Sequence, residues 1–110
     1  MKTTTDLRFG GVYDILDLIE PSGEKVQFLN LMNTPNGGAS LLALKAGQAL
    51  DSHAAPGELL VYVLEGDIEF TYEGNTSMIH GGQILMLGQG VPHAVKCTRD
   101  AKILLCKVAP

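Results

Sequence analysis

The groups in this 110-residue chain that could do chemistry are three histidines, two cysteines and a scatter of carboxylates. His53 and His93 each stand at the edge of an apolar run bounded by glycines, in GQALDSHAAPGELLVYVLEG (47–66) and GQILMLGQGVPHAVKC (82–97). Two imidazoles with few ionisable neighbours are a poor layout for acid/base work, but they suffice to orient a ligand or to hold a metal weakly. His80 precedes Gly81 and Gly82, where the alternation from Ile79 sends it outward, so it is expected to be exposed and inert. Glu65 reads as a strand-end charge. Cys97 and Cys106 form no CxxC or CxxH pattern and lie in apolar segments, which predicts buried, reduced thiols.

The elements that must position these residues read as short strands. Tyr13 to Glu20 has apolar residues at 15, 16, 18 and 19, fitting a short helix or an extended arm, and Pro21 with Gly23 ends it. Residues 1–6 are polar and have nothing to bury, which predicts a frayed start. Val26 to Met32 alternates as a strand, Asn33 to Gly38 has the chemistry of a turn, and Ala39 to Lys45 returns as a hairpin. Gly47 to Gly57 is expected to be a loop carrying His53. Leu59 to Glu65 is an apolar run typical of a strand covered on both sides, and Gly66-Asp67 is expected to turn it. Ile68 to Glu73 alternates, with Ile68, Phe70 and Tyr72 packed. Glu73-Gly-Asn makes a hairpin, and Ser77 to Ile79, Gln83 to Leu87, Pro92 to Thr98 and Lys102 to Val108 complete the series. Strands at this spacing with glycine between them argue for an all-β barrel or sandwich.

The two histidine stretches resemble the paired motifs of the cupin superfamily. Gly47, five residues, His53, then Glu65-Gly66, match the first; Gly82, five residues, Gly88, Gly90 and His93 match the second. The resemblance implies an all-β, single-domain jelly-roll barrel of the cupin type, with residues 1–25 as an N-terminal arm and 26–110 as the barrel. It also implies four metal-ligand positions, of which only His53 and His93 are retained. The usual second histidine falls on Ala55 and the usual glutamate on Leu59, while the customary proline and final asparagine of the second motif are Gly88 and Cys97. Glu58 is one residue from the glutamate position, and a one-residue shift faces it the other way unless a β-bulge intervenes. HAAPGELLVYVLEG also resembles a subset of small single-domain cupins for which no one reaction is implied.

If His93 points inward, so do Val95 and Cys97, while Ala94 and Lys96 point out, and an outward lysine makes that phase self-consistent. Leu59, Val61 and Val63 then line the facing strand. The expected cavity is walled by His53, Leu59, Val61, Met86, His93, Val95 and Cys97, with Met78 and Met86 as core fillers. A catalytic zinc or iron normally takes three protein ligands, or two histidines and a carboxylate. The expectation is therefore no firmly held cofactor, at most a weak or adventitious divalent transition metal on His53 and His93.

At 110 residues with 45% hydrophobic content the chain makes one domain with a modest core. A net charge of −4 with scattered basic residues gives no footprint for nucleic acid. The start lacks an apolar signal core and no apolar stretch approaches membrane-spanning length, so a cytoplasmic protein without membrane partners is expected. Edge strands such as Val26 to Met32 predict a homodimer. The functional expectation is binding of a small molecule between the two histidines. The alternatives are a metal-dependent oxygenase or isomerase, and a barrel without a small ligand that serves as a sensor or assembly subunit.

Overall fold

Alternating burial along the chain produces seven strands among the described residues, 7–109 of the computed structural model: β1 (Gln27–Thr34), β2 (Gly37–Leu44), β3 (Ala49–His53), β4 (Glu58–Tyr72), β5 (Asn75–His80), β6 (Ile84–Leu87) and β7 (His93–Val108). The frayed start expected for residues 1–6 lies outside the described residues. All pairings are antiparallel. β4 and β7, of 15 and 16 residues, pair along their whole length and bend together, so each contributes to two leaves. One leaf runs β1, β2, the C-terminal half of β7, the N-terminal half of β4, then β6. The other runs β3, the N-terminal half of β7, the C-terminal half of β4, then β5. Facing leaves sharing two bent strands form a jelly-roll barrel.

The bend is where the alternation changes phase. Leu59, Val61 and Val63 face inward at odd positions, and Ile68 and Phe70 face inward at even ones. Val63 pairs with Ile103 and Ile68 with Cys97, so five residues of β4 run against six of β7 and the surplus is taken up by bulges. Gly66 sits in that segment with φ +87°, and a Cβ there would lie 2.1 Å from the Asp100 carbonyl oxygen. Gly66-Asp67 is thus a bend inside one strand, not the expected turn. A local glycine signal cannot separate the two, because both need positive φ.

Two other expectations change. The loop expected at Gly47 to Gly57 contains β3, and the strands expected at Pro92 to Thr98 and Lys102 to Val108 are one strand. Of the two forms open to Tyr13 to Glu20, a short helix or an extended arm, the chain takes the arm with a single 3-10 turn, Ile15–Asp17. Met86 and Met78 are exposed, not core fillers. Met86 pairs with Leu60 on the outer face of β4, and Leu85 and Leu87 take the inner side of β6. ILML offers no polar residue to fix the phase.

The barrel interior is filled by Leu44, Val61, Val63, Ile68, Phe70 and Ile103 with their neighbours. A second apolar cluster covers the outside of the β1–β2 leaf, where Ile15, Leu18 and Ile19 of the arm pack on Leu29, Leu41 and Ala43. Lys102 is buried beneath the arm, its ammonium donating to the Leu16 carbonyl and pairing with the Glu20 carboxylate at 3.2 Å. No helix among the described residues is long and apolar enough to cross a membrane.

Candidate functional site

His53 closes β3 and His93 opens β7, and the two are cross-strand partners. Proline at 92 suits the position just before a strand, since it has no N–H to donate to a ladder. The Gly90 N–H donates to the Ala55 carbonyl at 3.0 Å, tying together the loops that follow His53 and precede His93. The imidazole centroids are 4.3 Å apart at 58°. Phe70 stacks on His93 at 5.3 Å and 11°, so His93 touches both a ring of the core and the ring of His53.

Both imidazoles are oriented by the same local device. His53 Nδ1 donates to the Asp51 carbonyl at 3.0 Å and His93 Nδ1 to the Val91 carbonyl at 3.1 Å. A carbonyl can only accept, so Nδ1 carries the proton and the neutral ring presents Nε2 as an acceptor. Neither Nε2 has a protein partner among the described residues. His93 is 3% exposed, and burial lowers its pKa below the ordinary histidine value, opposed by the Val91 carbonyl and assisted by His53.

These rings line a cavity of about 240 Å³ between the leaves. Of the expected wall, His53, Leu59, Val61, His93 and Val95 are in place. Met86 lies on the outer surface. Cys97 does face inward, but it is sealed in the core beyond the cavity, its thiol 3.1 Å from the Arg99 carbonyl and pushed up in pKa by burial. Cys106 is also free and only partly buried.

The mouth holds residues that sequence reasoning passed over: Phe28, Ser40, Asp51 and Lys107. Alternation along β1 and β7 was the available signal, since Phe28 shares a face with Asn30, and Lys107 shares one with Leu105 and Ile103. A shallower, more polar hollow of about 370 Å³, formed by the β1–β2 turn with Pro56 and Gly57, adjoins it and shares Ser40 and Lys107. His80 is exposed as expected but not idle. Its Nδ1 lies 2.7 Å from an Asp67 oxygen whose carboxylate also takes Arg99 at 3.1 Å, fastening β5 to the bend of β4.

The donors around the two rings fall short of a metal site. Leu59 occupies the inward position at the start of β4, and Glu58, paired with Val108 without a bulge, faces out. No group of three or more His, Cys, Asp or Glu placed to hold a metal occurs among the described residues. Two neutral nitrogens fall short of a three-ligand site, and the residues present do not fit a resident catalytic metal.

Comparison with known proteins agrees with the geometry. The chain is similar in structure to a conserved protein of unknown function from Streptococcus pyogenes, with TM-score 0.88 and 24% identity over 100% of this chain and 96% of that one. It is similar to a cupin superfamily protein from Desulfitobacterium hafniense, with TM-score 0.87 and 19% identity over 96% of each. A cupin 2 conserved barrel domain protein from Leptotrichia buccalis gives TM-score 0.84 and 30% identity over 87% of this chain and 47% of that one. No curated protein matches the sequence. Residues 40–106 match the family model described as the cupin domain, and with more than half its length so matched, on a barrel that brings His53 and His93 face to face, the chain belongs to the cupin family.

Proposed function

We propose that this protein binds a small, mainly apolar molecule in the barrel cavity, with a polar handle held by His53 and His93. The observation that carries the reading is a buried His93 whose Nε2 lacks a protein partner beside a cavity that is otherwise mostly apolar. No buried side-chain nitrogen or oxygen among the described residues lacks a partner, so this Nε2 opens on the cavity, and a ligand that donates to it there gains a net hydrogen bond worth about 0.5–1.5 kcal/mol. The dimer expected from the edge strand remains part of the proposal, because among the described residues β1 pairs with β2 alone. Metal-dependent chemistry on the two histidines is the rival reading, and no third ligand is placed to join them among the described residues.

Cyclohexanol, one apolar ring with one hydroxyl, is a suitable probe. Methyl resonances of Val61, Val95 and Leu105 should shift on titration while those of Leu29 and Leu41, on the far side of the leaf, stay still. If no cavity methyl moves up to roughly the tens of millimolar at which fragments of this size bind, the reading is wrong.

A further inference from the structure

The mouth of the cavity is chemically asymmetric, and that asymmetry restricts the ligand further. His53 and Asp51 stand on β3, in one leaf, and Lys107 stands on β7 near its C-terminal end, in the other, where it pairs across from Leu59. The Lys107 ammonium has no ion pair among the described residues. Ser40 beside it donates its hydroxyl to Asn30 at 3.3 Å, which leaves the oxygen free to accept. One wall therefore offers two hydrogen-bond acceptors with a carboxylate beside them, and the opposite rim offers a cation. Between them lie Leu42, Val61 and Leu105, with Phe28, 63% exposed, at the opening.

Such a cavity sorts ligands by the order of their groups. A group facing the histidines must donate, because two Nε2 acceptors meet an acceptor unfavourably. An anionic group is turned away by Asp51 and drawn to Lys107. At the packing density of protein interiors about a dozen non-hydrogen atoms fill the space, and the apolar ones gain from covering Phe28. Resting on the cavity-binding reading above, we propose that the ligand is a compact hydroxy acid: a hydroxyl that gives its one proton to an Nε2 of the His53–His93 pair, an apolar body within the barrel, and a carboxylate at Lys107.

The test compares four probes by calorimetry on the full chain: 4-hydroxycyclohexylacetate, cyclohexylacetate without the hydroxyl, 4-methoxycyclohexylacetate without the donor, and 2-(4-hydroxycyclohexyl)ethanol without the charge. The hydroxy acid should bind best. Loss of the hydroxyl, or its methylation, should weaken binding about fivefold to tenfold, the worth of one hydrogen bond. Loss of the carboxylate should weaken it about threefold, and half-molar salt should erase that difference, as for an exposed ion pair. Lys107→Gln, at an exposed position, should abolish the preference for the acid over the alcohol and leave the hydroxyl preference intact. His53→Ala, also exposed, should shrink the hydroxyl preference, and His93→Phe, which keeps a ring on Phe70, should do the same. Equal binding of all four probes would overturn the hydroxy-acid assignment and leave cavity binding standing. Failure of all four together with cyclohexanol would overturn both.

Discussion

His53 and His93 face each other across β3 and β7 with centroids 4.3 Å apart, and each anchors its Nδ1 on the carbonyl two residues upstream. The same device used twice gives both rings one tautomer and leaves two lone pairs beside a single cavity. Neither ring can satisfy the other in that state. The pair is complete only with a donor that comes from outside the fold.

Acid should destabilise the protein through His93. Its folded pKa is lowered, first by burial and then by His53, against the Val91 carbonyl. The unfolded chain then holds the proton more readily, so this contribution is fully present above the ordinary value near 6.5 and is lost as pH falls from there toward the folded value. Urea midpoints at pH 7.5 and 5.5 should drop more for the native chain than for His93→Phe, which leaves the facing groups Asp51, Lys107 and His53 in place. Equal drops would mean that His93 is not held neutral.

Metal content should be low. Protein purified without a histidine tag and dialysed against chelator is expected to carry well under one equivalent by elemental analysis, any trace being zinc or nickel, which favour imidazole. Ala55→His with Leu59→Glu restores the family pattern on two buried positions, of which Leu59 faces the cavity, and should raise it. One firmly held ion per native chain would contradict this. Asp51, which lines the same cavity, would then be the carboxylate to replace, and not outward Glu58.

Gly66→Ala should cost about 3 kcal/mol by denaturant unfolding, combining the left-handed φ with a Cβ placed against Asp100 and Ala101 backbone. Gly82→Ala separates the two causes. Its φ is +89° with nothing within 4 Å, so it should lose only the conformational part, about 1 kcal/mol.

The barrel was legible because period-two alternation and the glycine-histidine spacing agree, and outward Lys96 fixed the phase of His93, Val95 and Cys97. Depth was not legible. Alternation says which face a side chain takes but not how far down the barrel it lies, so Cys97 was placed at the cavity when it sits below it. Met86 failed because four apolar residues in a row carry no phase. Lys107 and Phe28 escaped notice because a charge near the chain end and an aromatic near its start reveal their shared mouth only once β1, β2 and β7 lie side by side.

Light scattering should give a particle near twice the chain mass of 11.7 kDa. Proline at Asn30, in the paired part of β1, should disturb that association more than proline at Gly10, which lies outside every strand. A native mass equal to one chain would remove the dimer.

Lys102 and Ile103 are adjacent on β7, yet one reaches the arm and the other the cavity wall. Peeling the arm away would strip the Lys102 ammonium of the Leu16 and Glu20 oxygens and bare Leu29 and Leu41 at the same stroke. The segment before β1 is thus no dispensable leader to the barrel but a shingle nailed through it by one lysine. A chain shortened to begin at residue 26 is expected to lose solubility along with its covering, and heating the full chain should melt arm and barrel in one transition.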